Sequence, residues 1–170
     1  CYLVSEAFLH GFYGKPRVDL ELLEGHHEGL IALSACLAGA IPQALMNENY
    51  DEAKRMALEL SRIFGPEHFY LEMQDHGIDK QRPVNQGLQR LARETGLPLV
   101  VTNDAHYLRR EDADMQDVLL CIQTGKTVDD LNRMRFETQE FYLKSEQELR
   151  QLFPGCDEAF DNTVKIAQMC

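Results

Sequence analysis

Three short apolar segments, each followed by a segment of helical character, constrain the fold of this chain more than any other feature of its sequence. They span residues 29–35, 69–73 and 99–102, and the helical stretches span residues 37–47, 50–64, 79–95 and roughly 111–123. Pro98 precedes the third apolar segment, and a residue without an N–H group is tolerated at the start of a strand. Strands that alternate with helices predict an α/β fold whose parallel sheet has right-handed crossovers, either open or closed into a barrel.

Helical periodicity is clearest in residues 50–64. The apolar residues there follow i, i+3, i+4 and i+7 spacing, which indicates an amphipathic helix: Ala53, Met56, Ala57, Leu60, Ile63 and Phe64. We also expect a first helix that ends near Gly11 and a short helix that Asp19 caps and that stops at Gly25. Pro42 is tolerable only in the first turn of its helix. A short strand at residues 141–144 and two C-terminal helices complete the predicted elements.

Composition limits the class of protein and its partners. With 170 residues and 44% hydrophobic content, the chain can form one domain with a core, and no apolar run approaches the roughly 20 residues of a membrane span. The odd number of scattered cysteines favours reduced thiols in a cytoplasmic protein: Cys1, Cys36, Cys121, Cys156 and Cys170. The net charge of −11 should repel a phosphate backbone. A nucleic-acid role would therefore need other parts of a larger protein, or metal ions that reverse the charge locally.

Each of the three predicted strands delivers a polar side chain at or near its carboxyl end. Cys36 follows the first strand, Glu72 lies near the end of the second, and Asp104 and His106 follow the third. Asp104 and His106 are two residues apart, so their side chains leave the same side of the chain if the extended conformation persists. The carboxyl ends of parallel strands face one edge of a sheet or barrel. A thiolate, a carboxylate and an imidazole gathered there are ligands suited to Zn²⁺, Mn²⁺ or Fe²⁺.

Each of these side chains also has a simpler interpretation. Cys36 is equally typical of a small buried apolar residue, and Glu72 of an ion pair with a neighbouring Arg or Lys. Asp104 would then cap the following segment, and His106 would be a half-buried loop residue. Four other histidines are expected in solvated helix ends or surface turns: His26, His27, His68 and His76. The basic residues nearest the predicted edge loops are either solvated surface charges or contacts to DNA or phosphate: Lys15, Arg17, Arg109 and Arg110.

Several long motifs resemble one bacterial family. The segments GLIALSACLAGAIPQAL, FYLEMQDHG, VVTNDAHYLRREDADMQDVLLCIQTGK and RFETQEFYLKSEQELRQLF occur in order and, with the closing DNTVKIAQMC, cover essentially the whole chain. They resemble the alpha (catalytic) subunits of bacterial DNA polymerase III, in the second half of the N-terminal polymerase-and-histidinol-phosphatase (PHP) domain. The resemblance implies that residues 1–170 form one partial domain, part of a distorted (β/α)7, TIM-like barrel truncated at its N-terminal side. The absence of an initiator Met also suggests an excerpt from a longer polypeptide.

The resemblance also implies a site. In family members with a complete metal cleft, ligands match Cys36 of the LSACLAG motif and Asp104 and His106 of the TNDAH motif. The other ligands, including a His-x-His pair, would precede residue 1. The family gives no ligand role to Glu72, which remains an expectation from strand geometry alone.

Two functions follow as alternatives for the module. The parent protein would perform DNA-templated DNA synthesis with an acidic triad and a pair of Mg²⁺ ions in a region after residue 170. This module would then supply either a metal cleft with phosphoesterase or 3′–5′ exonuclease (proofreading) activity, or an inactive brace that docks a separate proofreading exonuclease subunit. The implied partners are DNA, through the full-length polymerase, and other replisome subunits, with no membrane partner.

Overall fold

The computed structural model describes residues 1–170 and shows a mixed α/β arrangement around a small parallel sheet. Its strands are β1 (Phe12–Tyr13), β2 (Lys15–Pro16), β3 (Ala32–Leu33), β4 (Phe69–Met73) and β5 (Leu99–Val101). The helices are α1 (Tyr2–Leu9), α2 (Leu20–Gly25), α3 (Ala40–Met46), α4 (Tyr50–Phe64), α5 (Gln81–Thr95), α6 (Ala113–Thr124), α7 (Glu146–Leu152) and α8 (Asp157–Met169). None of the helices is long and apolar enough to cross a membrane.

Strands β3, β4 and β5 lie side by side in chain order, and both pairings are parallel. Ala32 pairs with Phe69, and Leu71 pairs with Leu99. The central strand β4 is buried except for Glu72, which is half-buried. A strand covered on both faces reads as a nearly continuous apolar run, and this is why FYLEM is apolar at every position but one.

Helices α4, α5 and α8 pack against the sheet. Asn49 caps α4 by accepting a hydrogen bond from the N–H of Glu52, and α5 ends at Gly96, whose left-handed conformation (φ 74°) favours glycine. Helix α8 lies against β5, where the Asn162 amide donates to the carbonyl of Leu99 at 2.8 Å. The fully buried side chains of this core include Ala53, Ala57, Phe69, Leu71, Met73, Leu88 and Leu91.

Local predictions differ in how well they agree with the structure. The bounds of α4 and β4, the Asp19 cap of α2 (2.8 Å from the N–H of Leu22) and the position of Pro42 in the first turn of α3 are confirmed. The first strand is wrong in length, because only Ala32–Leu33 of residues 29–35 pairs as a strand. A small hairpin formed by β1 and β2 was not predicted from the sequence.

The predicted strand at residues 141–144 is also wrong. This segment forms a single isolated bridge, between Tyr107 and Tyr142. The Asn103 side chain hydrogen-bonds to the main chain of Lys144. Its amide nitrogen donates to the Lys144 carbonyl at 2.8 Å, and its amide oxygen accepts from the Lys144 N–H at 3.2 Å. These groups of Lys144 are therefore bonded to a side chain and do not extend a ladder.

Candidate metal site at the carboxyl edge of the sheet

The carboxyl edge of the sheet, where β3, β4 and β5 end, carries Asp104 and His106 as a pair. The Asp104 Oδ1 and His106 Nε2 atoms are 3.2 Å apart, and both side chains are partly exposed. The strand ends at Val101, and Asp104 adopts a left-handed conformation with φ 45°. The two side chains therefore meet through a turn and not through a continued strand. Non-glycine residues in this conformation are uncommon and concentrate at functional sites.

Contacts from the segment after α6 fix the position of His106. Its main-chain N–H donates to the carbonyl of Phe141 at 2.7 Å. Its ring lies 4.8 Å from the ring of Phe136 and meets the ring of Phe141 edge-on at 5.6 Å. The imidazole thus packs against two aromatic rings, which leaves Nε2 directed at Asp104.

Cys36 lies in a tight turn after β3 and is exposed. Ala35, directly before it, has φ 66°, and the N–H of Gly39 donates to the carbonyl of Cys36 at 2.8 Å. A Cβ atom at Gly39 would lie 2.3 Å from the carbonyl oxygen of Ser34, so the turn has room only for glycine there. Cys36 is not buried, which excludes its interpretation as a small buried apolar residue.

Glu72 and Cys36 line one narrow cleft between the sheet and α5, and Asp104 and His106 do not line it. The Glu72 carboxylate accepts hydrogen bonds from the Thr102 hydroxyl and, at 3.0 Å, from the Gln74 amide. Its main-chain N–H donates to the Ser34 hydroxyl at 2.8 Å. The expected ion pair with Arg or Lys is wrong, because two neutral side chains, those of Thr102 and Gln74, donate to this carboxylate instead.

The donors at the carboxyl edge fit a metal ion in part. No group of three or more His, Cys, Asp or Glu side chains is arranged to hold one ion. Two ligands bound to Zn²⁺ at about 2.0–2.1 Å in a tetrahedron lie about 3.3 Å apart. The 3.2 Å separation of Asp104 Oδ1 and His106 Nε2 suits such a pair, and it equally suits a hydrogen-bonded ion pair. The structure therefore brings two of the predicted ligands together and places Cys36 separately.

His76 also lies at this edge, next to the carbonyl of Asn103. It was expected in a surface turn, but it is 2% exposed. Burial lowers the pKa of its imidazole. Its ring stacks on the ring of Phe141 at 4.1 Å and 6°, so an aromatic residue 65 positions further along the chain buries it. No local pattern around His76 signals that contact. The neighbouring His68 is exposed, as expected.

The four basic residues predicted near the edge loops, Lys15, Arg17, Arg109 and Arg110, are exposed, and some are already engaged. The Arg110 guanidinium forms an ion pair with Glu140, and that of Arg17 donates to the carbonyl of Tyr13. Lys144 is buried, where desolvation lowers the pKa of its ammonium group, and its Nζ donates to the carbonyl of Glu140. These contacts indicate structural roles for Arg110 and Lys144.

Comparisons with known proteins identify the relatives of the chain. Residues 1–76 match the PHP domain family. The chain is 50% identical over 168 residues to the DNA polymerase III subunit alpha of Treponema pallidum, which covers 99% of this chain and 14% of that protein. The resemblance to DNA polymerase III alpha subunits is confirmed. The alpha subunit of Thermus aquaticus is 49% identical over 171 residues, and that of Borreliella burgdorferi is 46% identical over 168 residues, each across 99% of this chain.

The extent of these matches matters for the site. The chain spans about 14–15% of the length of these alpha subunits. Cys36 lies within the part that matches the PHP family, whereas Asp104 and His106 lie beyond it. Similarity to the alpha subunits nevertheless covers all three residues, because it extends over nearly the whole chain.

Proposed function

We propose that this chain is part of the PHP domain of a longer DNA polymerase III alpha subunit, whose activity is DNA-templated DNA synthesis. The identity of 46–50% with three alpha subunits, across 99% of the chain, supports this assignment. The small parallel sheet with helical crossovers is consistent with a segment of a (β/α)7 barrel. Nucleotidyl transfer itself requires carboxylates that hold a pair of Mg²⁺ ions, and these would lie outside residues 1–170.

Within that subunit, the module contributes Cys36, Asp104 and His106 to a divalent-metal cleft. The observation that supports this proposal is the approach of Asp104 Oδ1 to His106 Nε2 at 3.2 Å, with Asp104 held in the left-handed conformation. Carboxylate, imidazole and thiolate are ligands suited to Zn²⁺, Mn²⁺ or Fe²⁺. A bound ion of this kind supplies a Lewis acid and an activated water for phosphodiester hydrolysis, the chemistry of a 3′–5′ exonuclease. Further ligands would come from outside this chain.

Metal content and exonuclease activity of the full-length protein test this proposal. Asp104→Asn is the preferred variant, because Asn tolerates the left-handed conformation and keeps the size of the side chain. We expect the variant to lose bound metal and hydrolysis of a single-stranded 3′ end while DNA synthesis persists. The control is Asp114→Asn, at an exposed carboxylate of α6, which should change neither the bound metal nor the hydrolysis. Hydrolysis that survives Asp104→Asn would rule out this mechanism.

A second function is favoured by charge and by the bonding of Glu72. The net charge of −11 opposes binding of a DNA strand, and the Glu72 carboxylate is already satisfied by Thr102 and Gln74. In this alternative the module is an inactive brace of the polymerase and docks a separate proofreading exonuclease subunit. It predicts that Asp104→Asn leaves binding of that subunit intact and that the wild-type protein alone degrades no 3′ end.

A further inference from the structure

His76 is engaged through both of its ring nitrogens. The Gln81 amide nitrogen lies 2.8 Å from His76 Nδ1, and because an amide NH₂ only donates, Nδ1 is the acceptor. The other nitrogen, Nε2, lies 3.0 Å from the carbonyl oxygen of Asn103, which only accepts. The imidazole is therefore neutral, with its proton on Nε2. Since neither nitrogen is free, His76 does not offer a ligand to a metal ion.

Gln81 holds His76 from the first residue of α5. Its side-chain oxygen accepts from the main-chain N–H of His76 at 2.7 Å, while its nitrogen donates to the ring. Gln81 is 4% exposed, so water does not compete for these bonds. One amide thus fixes both the backbone and the ring orientation of His76.

The hydrogen bond from His76 reaches the residue before Asp104. The Asn103 carbonyl accepts from His76, and the Asn103 side chain bonds both main-chain groups of Lys144. A left-handed conformation is unfavourable for a non-glycine residue, so it persists only where the neighbouring structure enforces it. Asp104, with φ 45°, directly follows this anchored residue.

A second route connects His76 to His106. The rings of His76 and Phe141 are stacked at 4.1 Å and 6°. The Phe141 carbonyl in turn accepts a hydrogen bond from the main-chain N–H of His106 at 2.7 Å, and the Phe141 ring meets the His106 ring edge-on. His76 therefore contacts both elements that set the positions of Asp104 and His106, although it touches neither side chain.

We infer that His76 and Gln81 are positioning residues that hold Asp104 and His106 at the separation two ligands of one metal ion require. This inference rests on the proposed metal cleft and adds two residues that supply no ligand atom. It predicts that changes to His76 or Gln81 weaken metal binding without removing a ligand. Mutation of residues that orient metal ligands without binding the metal themselves typically lowers metal affinity by about 10–100-fold.

The test is a titration of the metal-free full-length protein with Co²⁺, whose visible absorption reports both affinity and ligand geometry. His76→Phe keeps the stack on Phe141 and the main-chain bond to Gln81, but it removes the bonds of the ring nitrogens to Gln81 and Asn103. We expect it to bind Co²⁺ about 10–100-fold more weakly and with an altered spectrum. His76→Gln keeps an amide N–H that can reach the Asn103 carbonyl, and it should stay within about threefold of wild type. We expect Gln81→Met to weaken Co²⁺ binding as His76→Phe does. It tests the positioning role if His76→Phe does not fold.

The control variant is Leu91→Ala, which removes a fully buried side chain of α5 and should destabilise the fold without changing Co²⁺ affinity. Equal weakening in Leu91→Ala would overturn the positioning role, because it would reflect a general loss of stability. If Asp104→Asn abolishes binding while His76→Phe and Gln81→Met leave it unchanged, the positioning role fails and the metal cleft stands. If the wild type does not bind, or Asp104→Asn binds normally, the metal cleft fails and this inference fails with it.

Discussion

Asn103→Ala should destabilise the fold, because this amide ties the turn after β5 to Lys144. The side chain makes two hydrogen bonds to Lys144, at 2.8 Å to its carbonyl and at 3.2 Å to its N–H. Each bond contributes about 0.5–1.5 kcal/mol, and a buried group left without a partner costs about 1–3 kcal/mol. Because Lys144 is 6% exposed, water does not readily replace the lost partners. We therefore expect a loss of about 2–4 kcal/mol in the free energy of unfolding.

Urea denaturation of the 170-residue chain, followed by far-ultraviolet circular dichroism, measures this loss. Asn132→Ala is the matched control, because Asn132 is an exposed amide and its removal should change stability by less than about 0.5 kcal/mol. If Asn103→Ala is as mild as the control, the segment around Lys144 is not held by this side chain. Asn103 would then not be the residue that anchors Asp104.

Two further perturbations test the core and the buried histidine. Leu60 is half-buried and packs against the core. Leu60→Ala should therefore lower the free energy of unfolding, measured by urea denaturation, by about 2 kcal/mol, at the low end of the usual range. A loss under about 0.5 kcal/mol would show that Leu60 does not pack there. Burial lowers the pKa of His76 in the folded chain from 6.5, so the unfolded chain binds more protons below that pH. The free energy of unfolding should therefore fall as pH drops below about 6.5, by at most about 1.4 kcal/mol per pH unit for this group. The slope should be smaller in His76→Phe, and equal slopes for the two proteins between about pH 5 and 6.5 would contradict the burial of a neutral imidazole.

Sequence periodicity correctly predicted the elements whose buried residues form a regular pattern within the element itself. The bounds of α4 and β4 agree with the sequence because an amphipathic stripe and a continuous apolar run are local signals. The prediction was too long at residues 29–35, where pairing ends at Leu33 and the Ser34 hydroxyl bonds the N–H of Glu72. It was wrong at residues 141–144, where one bridge, between Tyr107 and Tyr142, forms in place of a strand and the Asn103 side chain bonds both main-chain groups of Lys144. In both segments a side chain bonds a main-chain group distant in sequence, which a local pattern does not encode.

For the candidate site, the sequence predicted the edge of the sheet but not the arrangement of the side chains there. The rule that parallel strands end at one edge placed Cys36, Asp104 and His106 at the carboxyl edge. It did not predict how far apart they lie, since the turns after β3 and β5 contain left-handed residues that no strand pattern encodes. The approach of Asp104 to His106 was expected from a continued strand and arises instead from a turn. His76 was missed because its burial depends on Phe141, far along the chain.

The order of β3, β4 and β5 has a consequence for synthesis on the ribosome. Because each strand pairs with the one made just before it, the sheet can assemble progressively as the chain emerges, with only one helical crossover to close at each step. Helix α8 is the exception, since it covers β5 only after residues 157–169 have been made. A nascent chain that pauses between β5 and α8 should expose apolar surface of β5 and become a substrate for chaperones, whereas one that pauses later should not.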